Sequence, residues 1–364
     1  MRNVPAELLR KQIQSVLTAW GMDSALVRTT ADVMIETDLA GVESHGVSML
    51  WEYDQWRRRG KVNLHARCKI VRENAVTALV DADAGLGHPA AVYGMQLAIE
   101  KARGLGVGVV SVFNSHHFGA AGYYARLAAE AGMIGLITSA TRTIGVVPTR
   151  AKLPLLGTNP IAFAAPARRN RPFVLDMATS TVAANKVRIY DMKGKALPPG
   201  WVVDERGEAV RDAATGMDIV FRRAKDLGGG LAPLGGTADM ASHKGYGLAM
   251  LAHILGGTLS GGSFSPIRVK TQKPGDPDNI GHFFMALDPQ TFRSGGAFED
   301  DLDSAIDVLH QTPPANPAEP VLVAGDPEAT TRTERLANGI PIAAALATKI
   351  REVCEQSGVP FILA

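Results

Sequence analysis

Two cysteines in 364 residues, Cys68 and Cys354, form no CxxC pair and no zinc-like spacing, which excludes a disulfide framework and argues against a structural metal. So little cysteine fits a reducing, cytoplasmic compartment. Charge of one sign is equally scarce: 38 Lys and Arg face 36 Asp and Glu, a net charge of +2, without the dense basic footprint of a nucleic-acid binder. Long apolar runs are missing too. The longest, residues 245–262, carries His253 and six glycines and barely reaches the about 18–20 residues a membrane span needs, so no transmembrane segment is expected. The N-terminus mixes charge with apolar positions and has no signal-peptide core. Neither a GxxxxGK phosphate loop nor a GxSxG nucleophile elbow occurs, so nucleotide hydrolysis and α/β-hydrolase chemistry have no support.

What the chain has is ordinary globular chemistry, 46% apolar and 20% charged, at a length that suits two or so domains of about 150 residues. Its 38 glycines point to backbone packed close to ligands or to other backbone. Residues 1–20, 24–39 and 50–59 carry helical spacing, and no strand is expected before residue 62. From residue 75 the pattern alternates: strand 76–83, helix 89–103, strand 107–113, helix 120–131 and strand 133–140, a βαβαβ order that implies a sheet covered by helices. Short apolar runs at 161–166 and 172–178 precede a helix at 182–190. A polar, turn-rich excursion at 193–243 leads to a buried helix at 245–259. A strand at 281–288 and helices at 298–309, 327–337 and 342–357 finish the chain.

Gly85, Gly87 and Ala90 form a GxGxxA between a strand and a helix, the place of a dinucleotide fingerprint. The next strand, VGVVSVFNS, ends in no Asp or Glu to hold a ribose, so an ordinary Rossmann site is not expected. Histidines are the better lead, because neutral imidazole gives or takes a proton near pH 7. His45 lies between two helices in ESHGVSML, and His116 and His117 lie where a buried strand ends, the edge at which open α/β sheets bind ligands. Neighbouring residues of a strand face opposite ways, so at most one of the pair faces a given site. Glu43 and His45 match no metal-ligand spacing, and no metal is expected. Lys244, at the start of the apolar helix, suits either a cofactor phosphate or a snorkelling role. Asp176 suits either a ligand contact or a helix cap.

Eight blocks in order, ESHGVS at 43–48, HFGAAGYYA at 117–125, LLGTNPIAFAAP at 155–166, VLDMATS at 174–180, LPPGWVVD at 197–204, PLGG at 233–236, KGYGLAM at 244–250 and GHFF at 281–284, resemble the malate/L-lactate dehydrogenase family. That family also includes ureidoglycolate, sulfolactate and diketogulonate oxidoreductases and piperideine- and pyrroline-2-carboxylate reductases. The resemblance spans nearly the whole chain. It implies an α/β fold like that of L-sulfolactate dehydrogenase, a mixed sheet with flanking helices and a non-Rossmann nicotinamide-binding domain, in a homodimer. Its division would be a helical region at 1–62, a substrate and dimerisation domain at 63–140 and 281–364, and an NAD(P)-binding domain at 141–280.

The resemblance implies His117 as general acid/base, with Ser44, His45 and Tyr53 in the substrate pocket and His45 as the proton-transfer residue in some relatives. Thr141, Asp176, Met177, Ala178 and Lys244 would meet the cofactor, NAD or NADP. The implied activity moves hydride between that cofactor and a small 2-oxo or 2-hydroxy acid, with cyclic-imine reduction or a non-catalytic homologue as alternatives. Two departures stand out. Relatives commonly read SHGVSR, whose arginine can clamp a carboxylate, but here the position is Met49, leaving Arg57, Arg142 or a partner-subunit residue to replace it. The segment 211–243 is also longer than its family counterpart. The basic run RRNR at 168–171 suits a 2′-phosphate contact or a solvated loop.

Overall fold

The computed structural model describes residues 2–222 and 224–363; Met1, Arg223 and Ala364 lie outside them. The chain opens with β1 (Arg2–Val4), α1 (Ala6–Ala19), α2 (Ser24–Leu39) and α3 (Leu50–Arg58). Next come β2 (Lys69–Glu73), β3 (Thr77–Asp81), α4 (Gly87–Leu105), β4 (Val107–Ser115), α5 (Ala121–Glu130) and β5 (Ile134–Ser139). The middle holds β6 (Ile161–Ala165), β7 (Phe173–Met177), α6 (Ala184–Met192), β8 (Val202–Val203), α7 (Ala213–Met217), β9 (Gly230–Leu231), α8 (His243–His253) and α9 (Ser265–Thr271). Strand β10 (Ile280–Leu287), α10 (Ala297–Gln311), α11 (Asp326–Asn338), β11 (Ile340–Ile342) and α12 (Ala344–Ser357) complete it.

Seven strands form one sheet in the order β2-β3-β4-β10-β5-β6-β7. Only β3 and β4 pair in parallel; every other neighbour pair is antiparallel. The expected mixed sheet is therefore present, with one feature the βαβαβ pattern does not reveal: β10, from far along the chain, enters between β4 and β5 and runs against both. The face of β4 that carries Val110 and Val112 is buried beneath α4, with α5 packed alongside it on the same side of the sheet. Helix α4 presents Ala90, Ala91, Ala98 and Ala102, small residues that bring its backbone close to the sheet. At the tightest point a Cβ on Gly108 would lie 2.0 Å from the Ala98 carbonyl oxygen, so β4 must carry glycine there.

A second core joins the two ends of the chain. Leu9, Ile13 and Leu17 of α1 pack with Met34, Ile35 and Leu39 of α2 and with Ile350 and Val353 of α12. Gln12, fully buried among them, is satisfied because its amide donates to the Pro360 carbonyl at 3.1 Å and its oxygen accepts from Ile362 N–H at 2.7 Å. The expectation of no early strand fails at β1, which pairs with β11; three residues are too few to show a period, and the partner lies at the opposite end of the chain.

The stretch 193–243 is not a solvated excursion. Leu197, Val202, Val210, Met217, Ile219 and Leu231 close a third core with Val146, Leu156, Val187 and Ala249. The apolar helix expected to be buried at 245–259 is α8 and a π-helical turn over Ile254–Thr258, and it exposes Leu251, Ile254 and Leu259.

Phe284, fully buried at the centre of β10 and against α4, is the test of that inserted strand. Phe284→Ala is expected to lower unfolding free energy by about 3–5 kcal/mol in urea titrations. Met192→Ala, at a side chain 80% exposed, is expected to change it by under about 0.5 kcal/mol.

Candidate active site

The ESHGVS loop is fixed by a carboxylate from the preceding helix. Asp38, buried near the end of α2, accepts the Val47 N–H at 2.8 Å, and burial pushes its carboxyl up to about 7. A Cβ at Gly46 would lie 2.0 Å from the other carboxyl oxygen, Oδ1, so only glycine lets the loop close over Asp38. The closure sets Ser44 and His45 side by side, with Ser44 Oγ 2.7 Å from His45 Nδ1.

His117 reaches the same place from the end of β4. Its ring stacks on His45 with centroids 5.3 Å apart. The backbone of His116 and His117 is held by the start of α4: Gly87 N–H donates to the His117 carbonyl at 3.0 Å, and a Cβ at Gly87 would stand 2.3 Å from the His116 carbonyl oxygen. The GxGxxA pattern thus seats the site histidine and leaves no role for a pyrophosphate there. His116 turns away, its Nε2 2.9 Å from the Lys61 carbonyl oxygen, so only one of the two histidines joins the cluster.

Tyr53, expected to line the substrate pocket, is 1% exposed and lies between two histidines, its hydroxyl 2.8 Å from His117 Nδ1 and 3.3 Å from His88 Nε2. His88 Nδ1 is buried with no hydrogen-bond partner among the described residues. A bare lone pair is the cheaper orphan, because a buried unpaired N–H forfeits a strong donor. His88 therefore carries its proton on Nε2 and donates to Tyr53, whose hydroxyl donates to His117 Nδ1. The remaining nitrogen of His117, Nε2, is the one available to a ligand.

Burial drives all these imidazoles toward neutrality. It lowers His45, and it takes His117 well below the ordinary histidine range with help from the neighbouring His45, His88, Arg142 and His282. His88 falls to about 3, by burial first and then by His282 and His45. His282 falls to about 3 as well, by burial; its Nδ1 lies 2.9 Å from Ser139 Oγ and its Nε2 3.0 Å from Ser115 Oγ, a rung across β5, β10 and β4 beneath the site.

The expected cofactor contacts share a second scaffold. Thr141 follows β5, and its N–H and hydroxyl both donate to Asn159 Oδ1, at 3.1 and 3.2 Å; Asn159 Nδ2 donates in turn to the Ala249 carbonyl of α8. Lys244 is exposed in the first turn of α8 and makes no ion pair among the described residues. Asp176, at the end of β7 with Met177 and Ala178, caps another element, accepting Gly122 N–H at the start of α5 at 2.7 Å. That bond ties the strand of the second scaffold to the helix that follows His117. In the basic run, Arg168 pairs with Asp300 at 3.1 Å and Arg169 with Asp307 at 2.8 Å, both on α10.

So Ser44, His45, Tyr53 and His117 converge, while Thr141, Asp176 and Lys244 belong to a linked frame. His88 and His282 escaped the sequence reading. The only signal for His88 was its place inside the glycine pattern, and for His282 its place in GHFF.

A family model described as malate/L-lactate dehydrogenase matches residues 4–351. A malate dehydrogenase of Pyrococcus abyssi is 39% identical over 357 residues, covering 98% of this chain and 95% of that protein. Among solved structures, malate dehydrogenase from Entamoeba histolytica superposes with a TM-score of 0.91 at 31% identity, covering 99% of each chain. Sulfolactate dehydrogenase from Methanocaldococcus jannaschii superposes at 0.86 with 32% identity, covering 99% of this chain and 98% of its own.

His282 makes the electrostatics testable through stability. Its folded pKa lies below the ordinary 6.5, so as pH falls under about 6.5 the unfolded chain takes up a proton that the native state refuses, and stability drops. Asp38, raised to about 7, acts in the opposite sense, so the difference between wild type and variant isolates the histidine. Between pH 6 and 5 the wild type is expected to lose about 1 kcal/mol more than His282→Gln in urea titrations. Equal losses would show that His282 is freely protonated in the fold.

Proposed function

Because the chain belongs to the malate/L-lactate dehydrogenase family, we propose that it is an NAD(P)-dependent oxidoreductase acting on a small 2-oxo or 2-hydroxy acid, with His117 handling the proton. The observation that carries this reading is the convergence of Ser44, His45 and Tyr53 on His117, in a setting that leaves one imidazole nitrogen for the substrate oxygen. The donor set suits a dinucleotide. Lys244 at a helix N-terminus offers an uncommitted ammonium and a favourable dipole to phosphate, and Thr141 is held in place by Asn159. When bound, the nicotinamide supplies or accepts hydride at C4, the step that side chains cannot perform.

The chain's own residues do the rest. Ser44 and His45 orient the substrate oxygen toward His117 Nε2, and the closed approach of these groups provides the proximity that speeds the transfer. Tyr53 acts through His117: its hydroxyl fixes the ring and decides which nitrogen faces the substrate. A neutral imidazole in that position donates a hydrogen bond to a carbonyl oxygen, as a polarising group must.

On the same reading, residues 1–62 are the helical region, 63–140 with 281–364 carry the substrate and dimer contacts, and 141–280 carry the cofactor. Exposed Leu251, Ile254 and Leu259 are apolar surface of the kind a second copy of the chain would cover, which supports a homodimer. Among the described residues no helix is long and apolar enough to cross a membrane. The cytoplasm remains the compartment we assign.

The test is absorbance at 340 nm with NADH and NADPH against pyruvate, oxaloacetate, other 2-oxo acids and the cyclic imines piperideine- and pyrroline-2-carboxylate. Turnover of a 2-oxo acid is expected, with kcat falling by about 10²- to 10⁴-fold in His117→Ala. Lys244→Ala is expected to raise the cofactor KM. Turnover of imines alone would replace the substrate assignment, and cofactor binding with no turnover would make the chain a non-catalytic homologue.

A further inference from the structure

A 2-oxo acid carries a carboxylate beside its reacting carbon, and something cationic must meet it. Position 49 offers no cation, since Met49 packs half-buried against the N-terminal core. Arg57 does not replace it: its guanidinium pairs with the buried Asp54 at 2.5 Å and lies over the Trp20 ring at 4.9 Å. Arg58 takes the other oxygen of the same carboxylate at 2.6 Å.

A different cationic group stands near the histidines. Asp278, buried in the loop before β10, is met by Lys61 at 3.2 Å, Arg142 at 3.2 Å and Arg268 at 2.7 Å. Burial alone would raise its carboxyl, yet Arg142, Gln272, Arg268 and His116 together hold it well below the ordinary range, so it is ionised. His116, with its basicity lowered chiefly by burial, adds no charge near neutral pH. One negative charge against three positive ones leaves a local surplus of two. Charges taken out of water need partners, so a surplus of this kind asks for an anion.

Of the three cations, one is open to a ligand. The side chains of Lys61 and Arg268 are 14% and 9% exposed, whereas that of Arg142 is 35% exposed. Arg142 gives Asp278 a single hydrogen bond, from Nη1 to Oδ2, and the rest of its fork has no hydrogen-bond partner among the described residues. Its guanidinium lies over Trp56 at 4.6 Å, and Trp56 lies 5.4 Å from Tyr53, whose hydroxyl holds His117. The backbone beneath it is pinned: Arg268 Nη2 donates to the Arg142 carbonyl at 3.1 Å and Ser265 Oγ to the Thr141 carbonyl at 3.1 Å. Among the groups whose charge acts on His117, Arg142 is the one permanent cation.

We propose that Arg142, braced on Trp56 and Asp278, anchors the substrate carboxylate in place of the arginine that position 49 lacks; this rests on the oxidoreductase reading above. A planar fork with free donors can take a carboxylate in two parallel hydrogen bonds. The placement has a second consequence. A carboxylate on Arg142 offsets the charge that this guanidinium adds to the effects of burial, His45 and His88 on His117, so substrate binding raises the basicity of the imidazole that handles the proton.

The test compares wild type, Arg142→Met, Arg142→Lys and the double variant Met49→Arg/Arg142→Met, with thermal melts as a folding control. Asp278 keeps Lys61 and Arg268 in all four, so the fold should persist. Arg142→Met is expected to raise KM for pyruvate and oxaloacetate by about 10- to 100-fold, the effect of losing a charge-assisted pair, with kcat changed less than about threefold. Arg142→Lys should fall between, and an arginine at position 49 should recover about tenfold.

Calorimetric binding of oxamate, an unreactive 2-oxo acid mimic, with NADH or NADPH present, separates the two proposals. Loss of oxamate binding in Arg142→Met supports the anchor even if wild type turns over no 2-oxo acid, a result that would overturn only the reaction reading. Unchanged KM and oxamate affinity in Arg142→Met, or an equal loss for methyl pyruvate, which has no carboxylate, would overturn the anchor.

Discussion

His117 owes its position to a backbone contact that side chains would forbid. The start of α4 donates the Gly87 N–H to the His117 carbonyl at 3.0 Å, with the His116 carbonyl oxygen only 2.3 Å from where a Cβ would be. Any larger residue at position 87 would push α4 off the end of β4 and carry His88 with it, because His88 is the next residue of the same helix turn. The hydrogen bonds from His88 to Tyr53 and from Tyr53 to His117 span one small region and depend on that approach. A glycine pattern that in sequence lies where a dinucleotide fingerprint would lie thus holds His117 in the histidine cluster.

Around that contact the dominant force is desolvation. His45, His88, His117 and His282 all lose basicity to burial, and His45, His88 and His282 lower His117 further by their latent charge. A cluster of histidines this dense would repel itself if protonated, so the fold has to keep it neutral. Hydroxyl groups make this possible: Ser44, Tyr53, Ser115 and Ser139 each sit against an imidazole nitrogen, and a hydroxyl can donate or accept as the tautomer requires. Neutral imidazoles bridged by hydroxyls form a network with directed protons, whereas carboxylate partners would have fixed the histidines as cations.

Much of this was legible in the sequence, and the reasons differ by residue. The helices at 24–39 and 120–131 and the strand at 107–113 showed because periodicity over ten or so residues is a local property. His45 and His117 showed because their blocks are distinctive and lie at element boundaries, where chemistry is usually placed. The entry of β10 between β4 and β5 did not show, since strand order depends on pairings between residues more than 140 positions apart. The core within 193–243 was hidden by its composition: β8 and β9 have two residues each, too short for a pattern, and its apolar side chains are interspersed with turns. The exposed face of α8 was misread for the opposite reason, because an apolar sequence does not say whether it is covered by its own chain.

The approach to β10 shows why residue-by-residue reading stops short of mechanism. Asp278, Asn279 and His282 lie within five positions and look like a polar turn entering a strand. In the fold each has a separate distant partner. Asp278 gathers Lys61, Arg142 and Arg268; Asn279 Oδ1 accepts the Asn114 N–H at 2.7 Å; His282 bridges Ser115 and Ser139. One short segment therefore sets the charge beside the site, the end of β4 that leads to His117, and the polar floor beneath both. The physical demand explains the order: a strand inserted between β4 and β5 touches both the strand that leads to His117 and the one that leads to Thr141, so its leading residues are the ones that can couple them.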